Sequence, residues 1–281
     1  MAVSLLYDYL KFEKIAKKYE FGSTELNASN ESFLGPVTIV PLLCFAENNN
    51  VKTIYTHPNT HEFVNRILKR KETSTTIPFV NLPKTKTKYA EIQPATDIAE
   101  KINDEYGGYH TLFHICDELI GNIYNHTPME EGYANQGYSF AQEYVNDKRV
   151  DICVMDDGLS IPGSFEKNGI DFEDDCHAIC LAISGKSTAK DEEEDPRYSR
   201  GAGLLTTLRL VIEENGGEAL IVSRRGLLYI KNKDKYEYSL LDNEDIFKGT
   251  LVAVKLKRNL VEHYHDVIEL PSVKSKYIYN G

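Results

Sequence analysis

Nowhere does this 281-residue sequence hold the ~20 consecutive apolar residues that a membrane-spanning helix needs. Its opening stretch, MAVSLLYDYLKFEK, carries acid where a secretory signal carries base, so no leader is expected. Basic charge is also scarce: 32 Lys and Arg against 43 Asp and Glu leave a formal net charge of -11. That deficit argues against nucleic acid and anionic membranes as partners, because both attract through clustered cations. Cysteines are few, and Cys44, Cys116, Cys153, Cys176 and Cys180 are scattered among apolar residues. Such thiols behave as small reduced core residues and not as a disulfide framework. Together these absences predict a soluble cytoplasmic protein, long enough for two ordinary domains or one large one.

What is present divides into two stretches. Leu5 to Tyr19 mixes Leu, Tyr and Phe with Lys and Glu at helical spacing and reads as a surface helix stopping at Phe21-Gly22. There follows SFLGPVTIVPLLCFAENNNVKTIYTHPNTHEFVNRILKRK, an apolar segment, a short strand over Val51 to Tyr55, and an amphipathic helix from near Thr60. This is the pattern of a small α/β unit. Pro36 suits a first helical turn, but Pro41 removes a backbone donor inside one, so the helix is expected to begin at Pro41. Glu72 to Ile92 is polar, with two prolines and Lys-Thr alternation, and reads as a strand-poor connection. The domain boundary is therefore set there, giving 1–92 as a small α/β domain and 93–281 as a second domain.

In the second stretch, Asp97 to His126 is a long helical run interrupted at Gly107-Gly108, and Val150 to Met155 is an unbroken apolar strand ending in Asp156-Asp157-Gly158. Ala202 to Glu214 is helical and Gly216-Gly217 terminates it. Short strands follow at Ala219 to Ser223, Leu227 to Lys231, Tyr236 to Leu240 and Thr250 to Lys257. Their tight turns imply a mostly antiparallel sheet with helices on one face, an α+β sandwich within the α/β class.

Chemistry concentrates in four places. In ICDELIGNIYNHT, Glu118, Asn122 and His126 recur every four residues and share a helical face, with Ile115, Leu119 and Ile123 on the neighbouring core face. An amide oxygen can join a Mg²⁺ shell while a carboxylate one turn away orients a water near phosphate. Taken alone, the pattern is that of a solvated helix. In VDICVMDDGLSIPGSF, a buried strand delivers Asp156 to its end, where a carboxylate accepts from an exocyclic amine; alone it is an Asp-Gly turn. In SRGAGLLTTLRLVIEENGG, Gly201 and Gly203 precede a helix whose first N–H groups are free for phosphate. Lys248-Gly249-Thr250-Leu251 enters the last strand.

These four pieces, in this order over residues 97 to 257, resemble the boxes of the GHKL or Bergerat-fold ATPases, the superfamily of gyrase, chaperone, histidine kinase and mismatch-repair proteins. The resemblance implies a Bergerat-type mixed sheet and a cavity for ATP and Mg²⁺. By it, Glu118 is the catalytic base orienting the attacking water or hydroxyl, and Asn122 is the Mg²⁺ ligand. His126 matches a box position of the sigma-factor kinase relatives. Asp156 takes the adenine amine, with Gly158, Ser160 and Ile161 completing the box; Ser160 stands where a second glycine is usual. Gly201, Ala202, Gly203 and Leu204 match the third box, and Gly249 with Thr250 the last, whose threonine supports the base. The family's mobile lid corresponds to Ser164 to Arg200, where Lys186, Ser187 and Arg200 are candidates for triphosphate. The unit before residue 92 is similar to the STAS-like units that accompany some bacterial GHKL proteins.

Competing motifs fail on spacing. Gly185-Lys186-Ser187 lacks the first P-loop glycine, since Cys180 holds that position, and Gly201-Ala202-Gly203 has Thr206 at the third glycine of a dinucleotide fingerprint. His110, His114 and Glu118, and the cluster Cys176, His177 and Cys180, lack the paired spacing of zinc sites. No Gly-x-Ser-x-Gly elbow is present. Two functions are expected to compete: a Mg²⁺-dependent ATPase or serine/threonine-kinase-type regulator acting on a protein partner or phosphoacceptor, and a non-catalytic nucleotide-dependent switch.

Overall fold

Helix α1 (Leu5–Ala16) begins where the Ser4 hydroxyl accepts the Tyr7 N–H at 3.2 Å, an N-cap that satisfies one of the donors a helix start leaves over. The computed structural model describes residues 4–68, 76–82, 88–126, 131–132, 134, 136–186, 203–242, 248–269 and 275–281. The expectation of a surface helix is corrected, because Leu5, Tyr9, Phe12 and Ile15 form a stripe that is fully or almost fully buried. Strand β1 (Glu25–Ala28), helix α2 (Pro36–Asn48) and strand β2 (Thr53–Thr56) follow, and β1 pairs with β2 in a parallel two-stranded sheet. Helix α2 starts at Pro36 and carries Pro41 in its interior, against the expected start at Pro41. Every residue from Pro36 to Ala46 is buried, and that burial offsets the ~3 kcal/mol an interior proline costs.

Helix α3 (Pro58–Leu68) leads to strand β3 (Thr76–Asn81) and helix α4 (Lys88–Lys101), so the stretch expected to be strand-poor contains a strand and the start of a helix. Pro78 lies where the β3 register shifts, between Ile77 and Val80, which is where a strand tolerates a missing donor. The break before helix α5 (Tyr109–His126) falls as expected at Gly107 and Gly108, both left-handed at φ 89 and 90. Strands β4 (Gly137–Tyr144) and β5 (Arg149–Asp156) form a hairpin, followed by helices α6 (Ser160–Lys167) and α7 (Asp175–Ile183). Helix α8 (Gly203–Leu208) continues through a π-helical stretch, Arg209–Glu214, which turns Leu210, Val211 and Ile212 all toward the core. Strands β6 (Glu218–Ser223), β7 (Gly226–Asn232), β8 (Lys235–Leu240) and β9 (Thr250–Lys257) lie within a residue or two of expectation, and helix α9 (Tyr264–Glu269) follows.

The fold is mixed α/β. Its main sheet has seven strands in the order β3-β4-β5-β9-β6-β7-β8, with antiparallel pairing throughout. Successive residues of β5 point to opposite faces. Val150, Ile152 and Val154 join Ile115, Leu119 and Ile123 of α5 with Ile179 of α7. Cys153 and Met155 join Tyr9 and Phe12 of α1 with Val40 and Leu43 of α2. Both faces are therefore covered, correcting the expectation of helices on one face; the unbroken apolar run of β5 is the mark of such a strand. Among the described residues no helix is long and apolar enough to cross a membrane.

Candidate functional site

Three adjacent strands end together. Asp156 closes β5, Thr250 opens β9 and Ser223 closes β6, and the ladders pair Asp156 with Thr250 and Thr250 with Ser223. Cross-strand partners project to one face, so the three polar side chains form a row at the sheet's end, on the side of α5 and α7. Asp156 is buried, and its Oδ1 accepts the Gly158 N–H at 2.8 Å, fixing the Asp-Asp-Gly turn. Gly249 passes so close that a Cβ there would stand 1.8 Å from the Asp156 carbonyl oxygen. Only glycine permits that approach.

The turn then enters α6 through Ser160, which holds φ 66, the left-handed region that favours glycine. The position thus has glycine's conformation but carries a hydroxyl. Ser160 Oγ accepts the Gly163 N–H at 3.1 Å, and the Ile161 N–H donates to Ser223 Oγ at 2.8 Å. Ser223 Oγ also lies 2.9 Å from Thr250 Oγ1. Ser223 was not anticipated from the sequence, yet it ties the start of α6 to the threonine of the last strand.

Opposite the row, α5 contributes Asn122 and His126 to a cavity of about 110 Å³. Asp156, Ser160, Ile161, Lys186, Gly203, Leu204 and Thr250 line it as well. Its apolar walls come from Leu119, Ile123, Val154, Phe165 and Val252. Burial holds the pKa of His126 below its ordinary value, favouring the neutral imidazole. Three anticipated residues, Gly158, Glu118 and Gly249, stand outside the lining. Gly158 caps the Asp156 carboxylate, and Glu118 presses on Gly203, where a Cβ would meet Glu118 Oε2 at 1.9 Å. Ser187, Arg200, Gly201 and Ala202 lie outside the described residues.

The site is backed from the other face. Glu47 of α2 accepts a hydrogen bond at 2.7 Å from Tyr138 of β4, the cross-strand partner of Met155. An apolar slot ending in a carboxylate and a hydroxyl suits a flat heteroaromatic ring with a polar edge. The amide of Asn122, the imidazole of His126 and the ammonium of Lys186 suit the polar remainder of such a ligand. Among the described residues no group of three or more His, Cys, Asp and Glu is placed to hold a metal ion. The chain matches no protein-family model, no curated protein and no solved structure.

Proposed function

We propose that the chain is an ATP-binding protein of the GHKL kind, with a Bergerat-type fold in its second stretch and a STAS-like unit before it. One observation carries the reading: Asn122, Asp156, Gly203 and Thr250, drawn from four separate stretches of sequence, converge on one cavity. In this reading Asp156 accepts from the adenine amine, Thr250 supports the base, and Ile123, Ile161 and Val252 flank the ring. Asn122 holds Mg²⁺, and Lys186 together with Ser187, Arg200 and the glycines of the third box meets phosphate. Bound ATP supplies a transferable phosphoryl group whose charge Mg²⁺ offsets.

Glu118 then acts as the base of a Mg²⁺-dependent ATPase or serine/threonine-kinase-type regulator, with a protein as partner or phosphoacceptor in the cytoplasm. The position of Glu118 favours a second reading as well. Its carboxylate abuts Gly203 and does not line the cavity, an arrangement in keeping with a nucleotide-dependent switch that turns over slowly or not at all.

Calorimetric titration with Mg-ATP tests the binding. Asp156→Asn replaces an acceptor with an amide that also donates toward the base amine, and is expected to abolish binding with the fold intact. Unchanged affinity would refute the pocket. Phosphate release separates the two readings: loss of turnover in Glu118→Ala supports the enzyme, and no turnover in either protein with ATP bound supports the switch.

A further inference from the structure

We propose that Ser223 is a positioning residue that turns the Thr250 hydroxyl so that a hydrogen-bond donor faces the cavity beside the Asp156 acceptor, selecting a 6-amino over a 6-oxo purine. The inference deepens the ATP reading above and rests on it. Its carrying observation is a count of hydrogens at one buried oxygen. A hydroxyl has one hydrogen to give and two lone pairs. Ser223 is fully buried, and its Oγ spends one lone pair on the Ile161 N–H at 2.8 Å. Its own hydrogen has two destinations, Thr250 Oγ1 at 2.9 Å and the Gly249 carbonyl at 3.5 Å. Hydroxyl hydrogen bonds cluster at about 2.5–3.0 Å and the 2.9 Å contact is made whichever hydroxyl donates, so it is the long reach to Gly249 on which we assign the hydrogen to Thr250.

Thr250 is thereby an acceptor toward Ser223, and its own hydrogen turns to the cavity that it lines. Its cross-strand partner is Asp156, with Cβ atoms about 4.5–5.5 Å apart in such pairs. The row presents an acceptor next to a donor. The complementary ring edge has a donor next to an acceptor, which is what the amine and ring nitrogen of a 6-aminopurine offer. A 6-oxopurine presents the reverse, setting its carbonyl oxygen against the Asp156 carboxylate and its ring N–H against the Thr250 hydrogen. Were Ser223 to donate to Gly249 instead, Thr250 would donate to Ser223 and the preference for the amine would weaken.

The test is calorimetric titration of the full chain with ATP and with inosine triphosphate, each with Mg²⁺. The wild type is expected to bind ATP at least about tenfold more tightly than inosine triphosphate. In Ser223→Ala the Thr250 hydroxyl rotates freely, so ATP affinity falls by about three- to tenfold while that for inosine triphosphate changes by less than about twofold. A prop of merely structural value would lower both affinities alike, and that result overturns the proposal. Because Ser223→Ala also strips the Ile161 N–H of its acceptor, a second pair keeps Ser223 in place. Thr250→Ser retains the hydroxyl and is expected to keep the ratio, whereas Thr250→Val removes it and collapses the ratio. Equal ratios in that pair overturn the proposal. A wild type that binds ATP without preference overturns it while sparing the ATP reading, and one that binds neither nucleotide overturns both.

Discussion

Gly249 and Gly203 present nearly the same overlap to an added methyl group and should answer it in opposite ways. At Gly249 the nearest atoms to a Cβ are the carbonyl oxygen and carbon of Asp156, at 1.8 and 2.5 Å, and the Cα of Asp157, at 2.9 Å. All are backbone, so no rotamer relieves the clash. The end of the β5–β9 ladder, where Asp156 pairs with Thr250, has to open. Overpacking of a closed site costs about 1–3 kcal/mol, and one or two ladder hydrogen bonds add about 1 kcal/mol each. Gly249→Ala should therefore destabilise the fold by about 3 kcal/mol, lowering the Tm by roughly 5–10 °C for a chain of this size. At Gly203 the close atom is the far end of a flexible side chain, Glu118 Oε2 at 1.9 Å, which can swing away. Alanine is also the better helix former by about 1 kcal/mol, so Gly203→Ala should change stability by less than ~1 kcal/mol while displacing Glu118. Urea denaturation with a common slope for both variants measures the difference. Equal losses in the two would refute the distinction between backbone and side-chain neighbours on which the reasoning depends.

At Ser160, replacement by glycine removes a left-handed cost of about 1 kcal/mol and one hydrogen bond of similar worth, so the Tm should hardly move. Ser160→Val forces a β-branched residue into the same conformation and should cost at least 2 kcal/mol or so; equal melting of the two variants would discard the strain argument. Burial raises the Asp151 carboxyl from its ordinary 3.8 to about 7, against the pull of Arg149 and Lys255 and with the push of Asp8 and Glu218. The folded chain then holds that proton more tightly than the unfolded one, so the contribution of Asp151 to stability is full below pH ~4, falls by up to roughly 4 kcal/mol toward pH 7, and levels off above. Asp151→Asn should flatten that fall in denaturation series between pH 4 and 8, and parallel curves would show that the proton is held elsewhere.

How much of this was legible in the sequence depended on how far apart the interacting residues lie. Strands β6 to β9 were readable because each alternates or runs apolar between turn residues, and short connections give the β6-β7-β8 pairing, whereas the insertion of β9 between β5 and β6 carries no local signal. Strand β4 was not: with both faces covered, GYSFAQEY buries Ser139 and Gln142 beside Phe140 and Ala141, and the polar-out rhythm disappears. Strand β3 was hidden by Pro78, which an edge strand accepts at a bulge and a central one does not. In the site, the resemblance singled out Asn122, Asp156, Gly203 and Thr250, which line one cavity. Ser223 carries no local signal, because its partners lie 27 and 62 residues away. The turn of Glu118 toward Gly203 was equally hidden, since helical spacing fixes a side chain's face but not the neighbour it meets across helices.

The two stretches read as separate units from composition are joined through the middle of the sheet. Phe140, Met155, Leu220, Val222 and Leu251 are at most 1% exposed and share a cluster with Tyr9 and Phe12 of α1 and Val40 and Leu43 of α2. At about 2 kcal/mol for each buried large side chain, covering these five is worth roughly 10 kcal/mol, comparable to the whole net stability of an ordinary domain. Polar contacts fix where the cover sits. Asp151, Lys255 and Glu218 form a second cross-strand row on that face, and Glu218 Oε2 accepts the Leu5 N–H at the start of α1 and bonds to Lys255 and Tyr229. The three strands that end in Asp156, Thr250 and Ser223 on one face are thus the strands to which α1 is tied on the other. Side chains between Leu5 and Ile67 cover the reverse of the same three strands that carry the cavity row, so burial on one face and the polar row on the other share one scaffold.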